Sequence, residues 1–388
     1  MNCPRCLGPA EFQGHRPRDF LSPLGPIRPA ERPYYHCPAC QAGHCPGDAA
    51  LGIEHAGQTP AAQQVITLAG TVESFGGARK LLPKLTGLRV RESTVERTTE
   101  GAGVRLGDRL NRGDTFGPGA PWPWHTDATG QTCAYLSIDA TGVGQQGPGG
   151  RKAEGRMAYV AMVSNPLPEE PEPSRGPRRP HPAAVSQSRY LAGLYDLEGL
   201  GTPLHRHAPH VGVSAADRLI ALTDGGQGLE EIIRQYFSDA VFILDFWHAA
   251  GHGCDLAKAF CGADAEAGRR LGQTWCHELK HSGGAVVLAT LQGLDLSGHP
   301  AATCEVHRRV TQYLANNLHR MDYPHYRRQG WPIGSGSVES ACKTVIDQRL
   351  NGTGRRWGTE GTDSVSHLRA LFLSEEGQWD AFWAPSRN

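Results

Sequence analysis

The stretch Ala134-Tyr-Leu-Ser-Ile138, followed directly by Asp139, has the composition of a buried β-strand that ends in an acid. Two further apolar runs follow it, Met157–Val163 (MAYVAMV) and Arg189–Tyr195 (RYLAGLY), and each predicts another strand. Because no helical pattern separates these runs, we expect the three strands to form a meander.

Two more strands follow, and each again ends in an acid. Arg218–Thr223 (RLIALT) leads to Asp224, and Val241–Leu244 (VFIL) leads to Asp245. The helical stripe of Gly228–Phe237 separates them. A meander followed by crossover-connected strands predicts a mixed sheet with helices on its faces, which is the α/β element order of a ribonuclease H-like fold. In that fold the first and fourth strands are neighbours, so we expect Asp139 and Asp224 to lie together.

The segments around these strands differ in character. Residues 250–330 carry helical apolar spacing and predict an all-α insertion in this fold. Asn165–Ser188 contains seven prolines and predicts a long exposed loop. Around His205–His210 the pattern predicts no clear helix.

Two cysteine pairs mark the N-terminal region. Cys3-Pro-Arg-Cys6 and Cys37-Pro-Ala-Cys40 are CxxC turns of the kind that let two thiolates hold one ion. Two such turns complete a tetrahedral structural site, so residues 1–50 predict a zinc ribbon that binds Zn²⁺. The alternative, unrelated free thiols, requires two coincidental motifs.

Residues 58–105 predict a small helical unit, with helices at Pro60–Thr71, Ser74–Leu85 and Ser93–Gly103. Ser93-Thr-Val-Glu96 matches a capping box, which predicts a helix start at Ser93. The residues that would face DNA from a helix-turn-helix are then found at the exposed start of this helix: Arg91, Thr94 and Arg97. A bundle that does not bind DNA is the alternative.

A fourth acid belongs to a later helix. Glu339 lies in Ser337–Leu350, whose apolar residues have helical spacing and whose lead-in is rich in glycine. A single acid after a strand is usually a turn or cap residue. Several acids in one domain, together with Glu339, indicate a divalent metal site. An ion pair between Glu339 and Lys343 is the competing interpretation of the helix acid.

Four blocks of the sequence resemble DDE insertion-sequence transposases of the ISKra type. Pro332–Lys343 with its continuation to Trp357 resembles their glutamate block, Ser137–Gly142 the first-acid block and Leu222–Leu229 the second. Asp245-Phe-Trp-His248 matches the C/D-x-x-H motif of Mutator-like and related transposases. The resemblance covers about residues 3–383.

This resemblance implies a metal-dependent DNA strand transferase, with two Mg²⁺ (or Mn²⁺) ions at Asp139, Asp224 and Glu339. Asp245 and His248 would support the site, with a buried structural histidine as the alternative for His248. A basic set near Glu339 would grip DNA phosphates: Lys343, Arg349, Arg355 and Arg356. A homodimer or higher oligomer on DNA is expected. The alternatives are a ribonuclease H-like nuclease without strand transfer and a catalytically inactive DNA-binding regulator.

Composition limits the possibilities further. The 388 residues carry 39 basic and 39 acidic side chains, which excludes a uniformly basic nucleic-acid coat. No apolar run spans a bilayer and no signal peptide is seen, so we expect a location in the bacterial cytosol or nucleoid. The expected divisions are zinc ribbon 1–50, helix-turn-helix-like unit 58–105, connector 106–133, first catalytic part 134–249, insertion 250–330, and glutamate helix with tail 331–388.

Overall fold

The computed structural model describes residues 1–53, 57–166, 187–334 and 336–384, without the side chains of 29, 30 and 50. The chain forms two compact units, one of Met1–Asp108 with Asp380–Asn388 and the other of Arg109–Trp379. Most of the loop predicted at 165–188 lies outside the described residues. No helix in the described ranges has the length and apolar character needed to cross a membrane.

The first unit combines a small antiparallel sheet, in the order β1-β2-β3, with four helices. Their bounds are β1 (Glu11–Ser22), β2 (Gly25–His36), β3 (Gly43–His44), α1 (Pro46–Leu51), α2 (Pro60–Val72), α3 (Phe75–Leu85) and α4 (Glu92–Arg112). Side-chain oxygens of Thr59 and Ser74 accept hydrogen bonds from the first turns of α2 and α3, which explains where these helices begin. Ile66, Leu82 and Val95 bury an apolar core between the helices.

The third predicted helix differs from expectation at both ends. It begins at Glu92, so Ser93 lies inside the first turn and the predicted capping box is wrong. The carbonyl of Arg91 instead accepts hydrogen bonds from the amides of Thr94 and Val95. The helix continues to Arg112 because Ala102, Leu106 and Leu110 extend its buried stripe, so the connector predicted from residue 106 starts later.

The second unit is built on a mixed sheet. Its strands are β4 (His125–Thr126), β5 (Thr132–Val143), β6 (Arg156–Asn165), β7 (Gln187–Gly193), β8 (Arg218–Thr223) and β9 (Val241–Leu244). The order is β7-β6-β5-β8-β9, with β4 paired to β5. β5, β6 and β7 pair antiparallel, and β8 and β9 join β5 in parallel. The predicted adjacency of the first and fourth strands, here β5 and β8, is confirmed.

Helices of this unit pack on the sheet and on one another. Their bounds are α5 (Leu197–His210), α6 (Leu229–Tyr236), α7 (Phe246–Cys261), α8 (Ala265–Ser282), α9 (Gly284–Gln292), α10 (Ala301–Asn317), α11 (Tyr323–Gln329), α12 (Gly336–Ala341), α13 (Gln348–Leu350) and α14 (Thr359–Leu373). A last helix, α15 (Gln378–Trp383), contains the boundary between the two units in the sequence. A π-helical turn, Cys342–Asp347, joins α12 to α13. The central strands are buried on both faces, as Leu136, Ile220 and Ile243 show.

Two segments of this unit differ from the sequence predictions. The segment around His205–His210 is the end of α5, a helix that the sequence pattern hid because Pro203 and Pro209 lie inside it. β5 continues four residues past Asp139 to Val143, so Asp139 lies inside a strand and not after its end. Residues 250–330 are mainly helical, as predicted.

Candidate functional site

Four cysteine thiols of the first unit converge on one point. The Sγ atoms of Cys3 and Cys40 lie 3.6 Å apart, and those of Cys6 and Cys37 lie 3.5 Å apart. A tetrahedral ion with metal–sulfur bonds of ~2.3 Å requires neighbouring sulfurs ~3.8 Å apart, close to these values. Among the described residues, this is the only group of three or more Cys, His, Asp or Glu whose ligand atoms all lie within 4.8 Å. The cluster could therefore hold a metal ion such as zinc.

The two CxxC turns share one backbone design. Leu7 and Gln41, the residues after each second cysteine, adopt left-handed φ values of 61° and 58°. The amide of Cys3 donates to the Gly8 carbonyl and the amide of Cys37 to the Ala42 carbonyl, which closes both turns. The Arg5 amide donates to the Cys3 sulfur and lowers the pKa of that thiol to about 7, which favours the thiolate that a metal binds.

Three acids of the second unit lie at one level of the sheet. β5 and β8 pair in parallel up to Ser137 opposite Leu222, so Asp139 and Asp224 both come two residues later. β8 and β9 end their pairing at Thr223 opposite Leu244, which gives Asp245 the same level. Neighbouring strands lie ~4.8 Å apart, so strand pairing alone brings Asp139 and Asp224 together.

Asp139 is half-buried at this edge. Burial raises its pKa, and the charges of Asp224 and Glu339 raise it further. Its Oδ1 accepts a hydrogen bond of 2.7 Å from the Ala140 amide, and its Oδ2 lies 3.7 Å from the Cys342 thiol. The carboxylate is thus held in place while two other negative charges act on it.

Glu339 reaches this edge from a helix. α12 packs against β5 and β6, and the π-helical turn that follows packs against β5. Glu339 precedes Cys342 by one turn, and the Cys342 thiol contacts Asp139. The turn with Glu339 therefore lies next to the acid edge, the part of the sheet that carries Asp139 and Asp224. The Glu339 side chain is exposed. π-helical turns are frequent at functional sites.

The three carboxylates do not form a compact ligand cage. Within the described ranges only the four thiols have ligand atoms that all lie within 4.8 Å of one another, so Asp139, Asp224 and Glu339 are more widely spaced. Asp224 also accepts a hydrogen bond of 2.8 Å from the Gly226 amide, as a turn residue does. The donor set still fits hard divalent cations, because it is made only of carboxylate oxygens at an edge where Asp224 and Asp139 are half-buried.

Asp245 and His248 have different environments from those of Asp139, Asp224 and Glu339. Asp245 is fully buried and caps α7, where its Oδ1 accepts a hydrogen bond of 2.6 Å from the Trp247 amide. This is the cap role that a single acid after a strand usually has. His248 is exposed, which excludes the buried structural histidine considered above.

The predicted basic residues divide into two groups. Lys343, Arg355 and Arg356 are exposed, and the Arg355 guanidinium donates a hydrogen bond of 2.7 Å to the Arg349 carbonyl. Arg349 is only 2% exposed, and its guanidinium lies 4.8 Å from the centre of the Trp357 ring. Arg349 is therefore a core residue, and the predicted phosphate contact is wrong for it. In the first unit, Arg91 and Arg97 are exposed and Thr94 is half-buried.

Two residues that contact β5 near Asp139 were not predicted as site residues from the sequence, Cys342 and Asp347. Cys342 has no motif, although its place one turn after Glu339 on a buried stripe was a usable signal. Asp347 accepts a hydrogen bond of 3.1 Å from the Thr141 hydroxyl, which ties the π-helical turn to β5. In the insertion, the thiols of Cys254 and Cys276 lie 3.6 Å apart without a third ligand among the described residues.

We expect Asp139→Asn to stabilise the metal-free protein at pH 7. The folded-state pKa of Asp139 is raised, so the charged form opposes folding, and stability is gained as the pH falls through that pKa. Removing the charge should raise the thermal midpoint by ~1–3 °C at pH 7, with a smaller difference as the pH is lowered. Thermal denaturation at several pH values measures this.

Asp217→Asn provides the control with the opposite sign. The Thr132 amide and hydroxyl donate to Asp217 and lower its pKa, so its charge favours folding and its removal should lower the midpoint at pH 7. A loss of stability in Asp139→Asn that is independent of pH would contradict the electrostatic interpretation of the acid edge.

No protein-family model matches the chain, and a search of curated proteins returns no match.

Proposed function

We propose that the protein is a DNA transposase that cleaves and joins DNA strands at the ends of an insertion sequence, using divalent metal ions. One observation supports this most. Asp139, Asp224 and Glu339 are far apart in the chain. The charges of Asp224 and Glu339 nevertheless raise the pKa of Asp139, so the three side chains lie near one another in the fold. Carboxylate oxygens are the ligands that Mg²⁺ and Mn²⁺ prefer, so these ions are the proposed occupants of the site.

The strand arrangement supports a ribonuclease H-like catalytic fold. Three antiparallel strands are followed by two parallel ones, and the first strand lies between the second and the fourth. The helix of Glu339 then packs on β5 and β6. This order gives Asp139 the central position, with Asp224 on the neighbouring strand and Glu339 above the sheet.

The chemistry assigned to these residues is phosphoryl transfer. Asp139, Asp224 and Glu339 would hold the ions, and bound Mg²⁺ supplies charge stabilisation to the attacking and leaving oxygens of an in-line displacement. Lys343, Arg355 and Arg356 are exposed and carry the positive charge that orients DNA phosphates. The Ala140 amide keeps the Asp139 carboxylate oriented before DNA arrives.

The first unit supplies DNA binding in this proposal. Zinc is the proposed occupant of the thiol cluster, since four thiolates close its tetrahedral shell and leave no open position for catalysis. α3, the following turn and the start of α4 carry exposed cations: Arg79, Lys80, Lys84, Arg89, Arg91 and Arg97. These helices therefore have the charge of a helix-turn-helix surface that contacts DNA.

The decisive experiment uses labelled DNA from the two flanks of the gene, purified protein and Mg²⁺. A transposase cuts these ends and joins them to a second duplex, and the joined product is seen on a sequencing gel. Cutting without joining would identify a nuclease. Binding without cutting, in protein that holds Mn²⁺, would indicate an inactive DNA-binding regulator. Either result would overturn the proposal.

Arg91→Ala with Arg97→Ala should weaken DNA binding ~30-fold or more, since each arginine at such a surface contributes ~1 kcal/mol or more. Fluorescence anisotropy with flank DNA at fixed salt measures this. The matched control is Arg269→Ala with Arg308→Ala, two exposed arginines in ion pairs on α8 and α10. Equal losses in the two double variants would remove α4 from the DNA-binding surface.

A further inference from the structure

The turn that carries Asp224 is fitted closely to the helical insertion. Gly225 adopts a left-handed φ of 86°, which only glycine takes without strain. A Cβ built on Gly225 would lie 2.8 Å from the Tyr313 hydroxyl and 2.9 Å from Leu244 Cδ1. The turn therefore lies directly against Tyr313, which belongs to α10, with no room for a side chain between them.

Tyr313 binds the backbone of the acid and not its carboxylate. Its hydroxyl donates a hydrogen bond of 3.0 Å to the carbonyl oxygen of Asp224. The carbonyl oxygen has no hydrogen to give, so the tyrosine hydroxyl is the donor in this pair. The ring centre of Tyr313 lies 4.1 Å from that of His252 on α7, so a second helix holds the ring in place.

Arg320, in the turn after α10, holds Thr223, the residue before Asp224. The buried guanidinium of Arg320 donates a hydrogen bond of 3.0 Å to the Thr223 hydroxyl. Glu230 lies 3.6 Å from Arg320 and balances its charge. The Asp245 amide donates to the Thr223 carbonyl from the other side, at 2.8 Å. The end of β8 is therefore held by three residues: Tyr313 on α10, Arg320 in the turn after α10, and Asp245 at the end of β9.

We infer that the helical insertion is a positioning element for the metal site, in which Tyr313 holds the Asp224 turn in the orientation that binds a divalent cation. The inference rests on the proposed function for its metal, and it gives the insertion a role that sequence alone did not supply. Tyr313 touches neither DNA nor metal in this role. It acts through the Asp224 backbone, so it is a positioning residue.

The test is Tyr313→Phe in the full-length, zinc-loaded protein, because this change removes one hydroxyl and keeps the ring. Mn²⁺ is the probe, and its dissociation constant is measured by electron paramagnetic resonance. We expect the constant to rise about three- to tenfold through loss of one hydrogen bond. The matched control is Tyr326→Phe, which removes a hydroxyl 3.5 Å from the Phe242 carbonyl in the same core, away from Asp224.

Amide hydrogen exchange of the peptide that contains Gly225 and Gly226 is the second readout, and it requires no metal. We expect faster exchange in Tyr313→Phe than in Tyr326→Phe, at equal thermal stability. Equal exchange rates in the two variants would overturn the inference. It would also be overturned if Mn²⁺ binding depends on Asp139 but the Mn²⁺ dissociation constant is unchanged in Tyr313→Phe. If Asp139→Ala binds Mn²⁺ as the unmodified protein does, the proposed function fails, while the exchange result still decides the role of Tyr313.

Discussion

Asp224→Asn is expected to reduce metal-dependent DNA cleavage ~10³-fold or more, because a lost carboxylate ligand removes several kcal/mol of transition-state stabilisation. Asp139→Asn and Glu339→Gln should give comparable losses. DNA binding, measured by anisotropy, should change little in all three variants because the exposed arginines of the first unit are untouched. Cleavage of labelled flank DNA in Mg²⁺ is the measurement.

Asp245→Asn is the matched control for this prediction, since Asp245 lies at the same level of the next strand. Its carboxylate is fully buried and caps α7, and asparagine caps a helix about as well as aspartate does. We therefore expect cleavage within a few-fold of the unmodified protein. Loss of activity in Asp245→Asn, with activity retained in Asp224→Asn, would mean that the second acid was chosen wrongly.

Removal of the metal from the thiol cluster is expected to unfold the segment around residues 1–53. The core beside the cluster is small, with Cys3, Ala10 and Cys37 as its buried residues, so little apolar burial would remain to hold it. Structural zinc sites of this kind contribute ~10–16 kcal/mol of apparent binding free energy to folding. Cys37→Ser, or treatment with a strong chelator, should make this segment sensitive to protease.

Two measurements check the zinc prediction. Metal analysis of the purified protein should find one zinc per chain, and limited proteolysis should cut the Cys37→Ser protein within the first strands. Cys45→Ser is the control, because Cys45 lies outside the group of four thiols. Zinc-free protein that resists protease as the unmodified protein does would show that the cluster is not a structural metal site.

Local patterns predicted those features of this protein that depend on neighbours in the chain. β8 and β9 begin and end where their apolar runs do, because a short β-rich run between polar residues has one simple solution. The thiol cluster was also predictable, since the CxxC spacing brings two ligands together within one turn. Local patterns failed at α5, where interior prolines hid a helix, and at Ser93, where a capping motif lies inside α4.

The α/β element order, the two CxxC turns and the acids near the ends of buried strands could all be predicted from local sequence patterns. The relative positions of the acids depend on long-range pairing, because the register of β5, β8 and β9 sets Asp139, Asp224 and Asp245 at one level of the sheet. Tertiary packing also buries Asp245, which caps α7, and Arg349, which lies in the core. Burial and strand register depend on residues far apart in the chain, and no local pattern contains them.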